Sequence, residues 1–351
     1  MRAVLVGTGG FGAGWRGYFV GDRAERAQRV AALVDPVPEH NAAFAAAIGR
    51  PDVPQFPDLG EALDRLDAGL VVDSTPPRFR EQIARRAFEA GCHLFVAKPL
   101  AETMEVGRRM VEWAAAAGRQ LGVGQQQRYY PVPQTLARLV REGAIGRPIA
   151  AYLDFYQRRR WDDRLKDVPS PLFVESAIHH FDMLGFVLGR RPQRVCALGW
   201  TPDWTGAAGE TAGAAWLEFE RGVPALYRGS RSGRTDLDAA LQTGWHGPWL
   251  VEGTDGVLRG DDQSGVFLNG TCVLPAQDAG GGFDAARYVS LDLFQEAIAR
   301  GEPFEVSGAD NLWTLAATYG AWLSARERRW VELAPLVSGI TDQADKEVSR
   351  D

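Results

Sequence analysis

The sequence predicts two domains in series: an α/β domain built on a doubly wound parallel sheet, then an α+β domain built on a mostly antiparallel sheet. Three observations carry this. A chain of 351 residues exceeds what one ordinary core organises. Through about residue 124, short β-branched apolar runs alternate with amphipathic stretches, the strand–helix–strand order that a parallel sheet requires. Beyond the helix-like VPQTLARLVREGAIG (132–146), apolar runs follow one another with only turn residues between them, as antiparallel strands do.

In the first half the expected strands are RAVLVG (2–7), RVAALVD (29–35), GLVVDS (69–74), CHLFVA (92–97) and QLGVG (120–124). Between them lie PEHNAAFAAAIG (38–49), PPRFREQIARRAFEAG (76–91) and TMEVGRRMVEWAAAAG (103–118). Each has helical periodicity and ends on a glycine suited to a helix C-terminus. In the second half the strands are IAAYLDFYQR (149–158), RVCALGWT (194–201), AAWLEFE (214–220), PALYRGS (224–230) and WLVEG (249–253), with helices near 284–300 and 308–326. Nine of the eleven tryptophans lie from Trp161 onward, which assigns them mostly to core and interface packing. The boundaries expected are 1–124, 125–335 and a polar tail, 336–351.

Composition narrows the function. At 45% hydrophobic and 24% charged residues this is a globular composition, and a net charge of −6 disfavours nucleic acid as a partner. No run of 18 apolar residues occurs to span a membrane. The N-terminus has no secretory pattern, and the three widely spaced cysteines suggest neither disulfides nor a zinc cage, so a reducing cytoplasm is expected.

Two stretches carry chemistry. VLVGTGGFGAGW (4–15) places Gly7, Gly9 and Gly12 in GxGxxG spacing directly after the first strand, and Asp35 closes the second. That context predicts a Rossmann dinucleotide site. Gly7 makes the tight turn, Gly9 admits the pyrophosphate and Gly12 packs helix on strand; Gly10 and Phe11 lie in the same loop. Asp35 would accept from the ribose hydroxyls and repel a 2′-phosphate, which favours NAD; NADP stays possible through a base such as Arg50. FVESAIHHFDMLGFVLG (173–189) is the second stretch. At 100° per residue Glu175, His179 and Asp182 fall within about 60° of one another, while His180 points elsewhere. Periodicity alone leaves open a buried histidine satisfied by acids, or a proton-transfer pair. A metal site is disfavoured because the other three histidines, His40, His93 and His246, are scattered.

Four segments in this order and spacing, the glycine motif, STPPRFREQIARRAFEAGCHLFVAKPLA (74–101), VGQQQRYYP (123–131) and ESAIHHFD (175–182), make the chain resemble the Gfo/Idh/MocA family of NAD(P)-dependent oxidoreductases. The likeness extends through LWTLAATYGAWLSA (312–325) and WVEL (330–333). It implies a Rossmann domain joined to a domain with a large open sheet that forms a homo-oligomer interface, and chemistry on a sugar, cyclic polyol or sugar derivative. Relatives that retain NAD to cleave or epimerise a glycoside, or a nucleotide sensor without turnover, are the alternatives.

Carried over by position, Lys98 matches the family's lysine of a Glu-Lys-Pro element, His179 its histidine, and Glu175 the aspartate four residues earlier. Thr75, Pro76 and Gln126 match positions beside the cofactor, and Arg128 an arginine on the substrate side. The chain departs from the pattern at Ala97 for glutamate, Arg80 for histidine, Gln126 for asparagine, Glu175 for aspartate and Ser170-Pro171 for Gly-Gly. The mechanism implied has hydride passing between a carbinol carbon and nicotinamide C4. His179 exchanges the hydroxyl proton, Lys98 polarises the oxygen and Glu175 orients His179. The loop over 156–170 is read either as a substrate wall, offering Arg158, Trp161, Asp163 and Lys166, or as a solvated charged loop or subunit contact.

Overall fold

The computed structural model describes residues 1–157, 168–232 and 246–339. It forms two compact units: Met1–Gln126 with Phe283–Leu312, and Gln127–Gly282 with Trp313 onward.

The first unit holds six strands, β1 Ala3–Val6, β2 Val30–Val34, β3 Gln55–Phe56, β4 Leu70–Asp73, β5 His93–Ala97 and β6 Leu121–Gly124. All neighbours run parallel in the order β3-β2-β1-β4-β5-β6. The order reverses between β1 and β4, which makes the carboxyl ends of these two strands the place where such sheets bind ligands. Every residue of β2 and β4 is buried, as strands covered on both faces must be.

Four helices separate the strands: α1 Pro38–Ala47, α2 Leu59–Arg65, α3 Arg80–Glu89 and α4 Met104–Ala116. Pro38 opens α1 at a position where its missing N–H is harmless, and Thr103 caps α4 by accepting from Val106 N. The sequence reading lacked β3 and α2. A two-residue strand has no period to detect, but α2 carried a signal: Asp58 caps it by accepting from Glu61 N.

Two further features differ from expectation. After the glycine turn the chain forms 3-10 turns, Gly10–Phe19 and Gly21–Arg29, in place of an α-helix. Glycines at 10, 12, 14, 17 and 21 each disfavour the α conformation by about 1 kcal/mol relative to alanine. The second feature is that Phe283–Leu312 belongs to this unit, so the expected block 125–335 is not contiguous. Its helix, Phe283–Arg300, buries Phe294 against Phe95 and Phe304, with centroids 5.4 and 5.2 Å away. Val123 N donates to Val306 O at 3.0 Å.

Among the described residues the second unit is built on nine strands: β7 Pro148–Tyr156, β8 Pro192–Trp200, β9 Ala212–Phe219, β10 Val223–Ser230, β11 Trp249–Gly253, β12 Val257–Asp261, β13 Gly265–Leu268, β14 Thr271–Pro275 and β15 Val331–Glu332. They lie in the order β14-β13-β12-β11-β7-β10-β9-β8-β15, antiparallel except for the parallel pair β7 and β10. Side chains of the central strands largely alternate between the two faces, most regularly in β10. Leu153, Phe155, Val195, Ala197, Leu217, Tyr227 and Val251 are buried on one face, against α5 Pro131–Arg141 and α6 Ala177–Leu188 among other elements. On the other face Leu198, Trp200 and Trp216 are each about half exposed. Most tryptophans described here are therefore not in the core: Trp249 is buried, but Trp200, Trp204, Trp216 and Trp330 are exposed. The helix Leu333–Ser338 takes up the start of the expected tail.

Candidate active site

Within the first unit, the turn after β1 is shaped by glycine at the atomic level. Gly7 and Gly10 have φ of +78° and +45°. A Cβ on Gly12 would stand 1.7 Å from the Gly7 carbonyl oxygen, so no larger residue fits without moving backbone. Thr8 N and Gly9 N donate to Asp35 Oδ2 at 3.0 and 3.2 Å, and Val37 N donates to Oδ1 at 3.0 Å. His40 Nδ1 lies 3.0 Å from the same Oδ1. Burial pushes the Asp35 carboxyl up, but the N–H groups of Val37 and Gly9 and the His40 ring outweigh it and hold the group below the ordinary carboxylate value.

A left-handed glycine turn with open space at Gly10, closed by a fixed anion at the end of β2, fits a dinucleotide whose ribose diol meets Asp35. Phe11, 44% exposed, stands edge-on to Phe283, with the Arg287 guanidinium 4.3 Å from its ring centroid. Arg50 is already engaged. It donates to both oxygens of Asp52 at 2.8 and 2.9 Å and to Ala27 O.

The ends of β4 and β5 are joined by one wholly buried cation. Asp73 accepts from Thr75 N and Oγ1 at 2.8 and 2.7 Å. Arg80, 1% exposed, donates through Nε to Asp73 at 3.2 Å, through Nη2 to Thr75 O at 2.9 Å and through Nη1 to Pro99 O. The Thr75-Pro76 loop and the Lys98-Pro99 exit are thus tied to the same guanidinium. The Lys98–Pro99 peptide is cis. Gln126, 3% exposed, begins the turn after β6.

In the second unit, Glu175 is not on an α-helix. Pro171–Ser176 forms a π-helical turn, capped by Ser170 Oγ accepting from Phe173 N, and α6 begins at Ala177. The 100° step that aligned Glu175 with His179 and Asp182 therefore does not apply across this junction. Glu175 Oε2 accepts from Arg231 Nη1 and from Ser176 Oγ. Asp182 accepts both arms of Arg128, at 2.9 Å to Nε and 2.5 Å to Nη2, and a 3.4 Å bond from Thr314 Oγ1. Arg128 thus devotes its fork to α6 while lying 5.1 Å over Phe186. His179 is 4% exposed; His180 is wholly buried between Phe155 and Tyr227, at 4.5 and 5.1 Å. Among the described residues no three His, Cys, Asp or Glu side chains group as a metal site. Arg158, Trp161, Asp163 and Lys166 lie outside the described residues.

Two family models match the chain. The model of the oxidoreductase family with an NAD-binding Rossmann fold covers residues 1–125, and that of the GFO/IDH/MocA C-terminal domain covers residues 134–259. The chain belongs to the GFO/IDH/MocA family. It is accordingly an NAD-binding oxidoreductase of the group that acts on CH–OH carbons.

The chain is 28% identical to D-apiose dehydrogenase of Paraburkholderia graminis, over 96% of this chain and 90% of that one. It is 27% identical to 1,5-anhydro-D-fructose reductase of Ensifer adhaerens, over 82% and 86%. A crystallised oxidoreductase from Agrobacterium radiobacter in complex with NAD+, L-tartaric acid and magnesium shares the fold, with a TM-score of 0.80 over 96% of this chain and 99% of that one at 19% identity.

Two departures from the GFO/IDH/MocA pattern gain a structural setting. Arg80 ties the exit of β5 to Asp73, beside a strand that ends in Ala97 where the family has an acid. Glu175, longer than aspartate, has a buried arginine to hold it. Sequence reasoning missed Arg231, and a signal existed: Tyr227, Gly229 and Arg231 continue the buried alternation of β10, where an arginine needs a partner. His40 was likewise missed, although one helical turn after Asp35 it sits within reach of that carboxylate.

Proposed function

We propose that this protein transfers a hydride between NAD and the hydroxyl or carbonyl carbon of a sugar, cyclic polyol or sugar derivative. The observation that carries the reading is the pairing, in one GFO/IDH/MocA chain, of a lysine directly after β5 with a histidine on α6 that follows an acid by four residues. The relatives' names, a dehydrogenase of apiose and a reductase of anhydrofructose, agree with a carbohydrate or polyol substrate.

When bound, NAD supplies the hydride acceptor; the chain's own residues do the rest. The glycine turn admits the pyrophosphate and Asp35 accepts from the ribose hydroxyls. Lys98, an ammonium, binds and polarises the substrate oxygen. His179 takes its proton during oxidation and returns it during reduction, oriented by Glu175. In this proposal Arg128 serves the substrate side indirectly, by holding α6 through Asp182. A second copy of the chain covers the outer sheet face that bears Leu198, Trp200 and Trp216.

The test is a panel of aldoses, inositols and other polyols with NAD and NADP in parallel, followed through absorbance of the reduced nicotinamide. NAD-linked turnover on at least one cyclic polyol or aldose is expected. Tight NAD binding with no turnover across the whole panel contradicts the proposal.

A further inference from the structure

Arg231 follows β10 and is wholly buried, its backbone N–H fixed to Thr211 O at 2.8 Å. A guanidinium stays charged at any physiological pH, so its burial requires an anion at hand. Among the described residues that anion is Glu175, whose Oε2 meets Nη1, the same nitrogen that reaches Ser176 Oγ at 2.7 Å and Pro171 O at 3.4 Å. Among the described residues Nε and Nη2 have no hydrogen-bond partner, so the Glu175 bond carries the electrostatic compensation that those residues give this cation. All three oxygens on Nη1 belong to the π turn Pro171–Ser176, the turn that leads into the helix bearing His179.

We propose that Arg231 is a positioning residue for proton transfer: it fixes the Glu175 carboxylate, and through it His179. This rests on the reading that Glu175 orients His179. Glutamate has one more rotatable bond than aspartate and loses more rotamer freedom when fixed. Anchored on Arg231 and Ser176, the longer side chain keeps one setting despite its length, and the π turn presents it without α-helical phasing. The same charge pairing keeps Glu175 an acceptor, which leaves His179 as the group that gains and loses the proton.

A double-mutant cycle in the full chain tests this, using the best substrate of the panel. R231Q is expected to lower kcat by about 10- to 100-fold with NAD affinity within about twofold of wild type. R231K, which keeps the charge, should recover to within about fivefold. In an E175Q background, R231Q should cost less than about twofold more, because a residue acting through Glu175 has nothing left to act on. Should R231Q fail to fold, R231M, which also removes the charge, supplies the same comparison in both backgrounds. An equal loss in both backgrounds, or unchanged kcat in R231Q, overturns the assignment. H179A separates the two failures. Wild-type turnover in H179A removes the reading of the pair and this inference with it; an inactive H179A beside a fully active R231Q removes only the role of Arg231.

Discussion

The proposed cofactor preference rests on Asp35. Three backbone N–H groups and the His40 ring hold an ionised carboxylate where the proposed site would take the ribose, and a 2′-phosphate there would meet a like charge. Asp35→Ser should weaken NAD about tenfold or more and narrow its advantage over NADP, as read by titration with both, since a hydrogen bond to a charged group is worth about 1.5–3 kcal/mol. Its folded-state value lies below the ordinary one of 3.8, so its stabilising contribution is complete above that value and fades as pH falls through the lower one. Thermal melts should therefore show Asp35→Asn less stable than wild type at pH 7, the gap closing under strongly acid conditions. Gly12→Ala, with its Cβ against the Gly7 carbonyl, should lose NAD binding and about 1–3 kcal/mol of stability. The glycine turn and the carboxylate that closes it were legible because motif and order carry them. Partners were not: Asp182 meets Arg128 from 54 residues away, and Glu175 meets Arg231 from 56, pairings that only tertiary packing creates.

Elements position these groups by where they end. Arg80, in the first turn of α3, links β4 and the Thr75-Pro76 loop to the exit of β5, so a buried ion pair sets the backbone around Lys98. Burial draws the guanidinium below its ordinary value while Asp73 pulls it back up. Removing one member of such a pair costs about 3–5 kcal/mol because the other is stranded. Arg80→Met should thus lower Tm by about 10 °C, measured by calorimetry. Long elements were readable from their period, as with α4, the helix Phe283–Arg300 and β7 to β10. Short ones were not: β3 has two residues, and β12 to β14 are hairpin strands of four or five whose turns looked like loop. The π turn was not legible because its six residues are too few to show a period distinct from that of the helix they lead into.

For the whole molecule, the sequence showed two units but not their threading. The return of Phe283–Leu312 to the first unit depends on Phe294 and Phe304 finding Phe95, contacts between segments far apart in sequence. The outer sheet face is the other global feature. Trp216→Asp should dissociate the proposed oligomer, visible as a lower sedimentation coefficient with unchanged circular dichroism. In the proposed mechanism Lys98 and His179 serve one reaction, and steady-state kinetics of K98A and H179A test that most directly. Each should lose about 10² to 10⁴ in kcat with NAD affinity held within a few-fold, and the double variant should be little worse than either alone. Wild-type turnover in both single variants would contradict it.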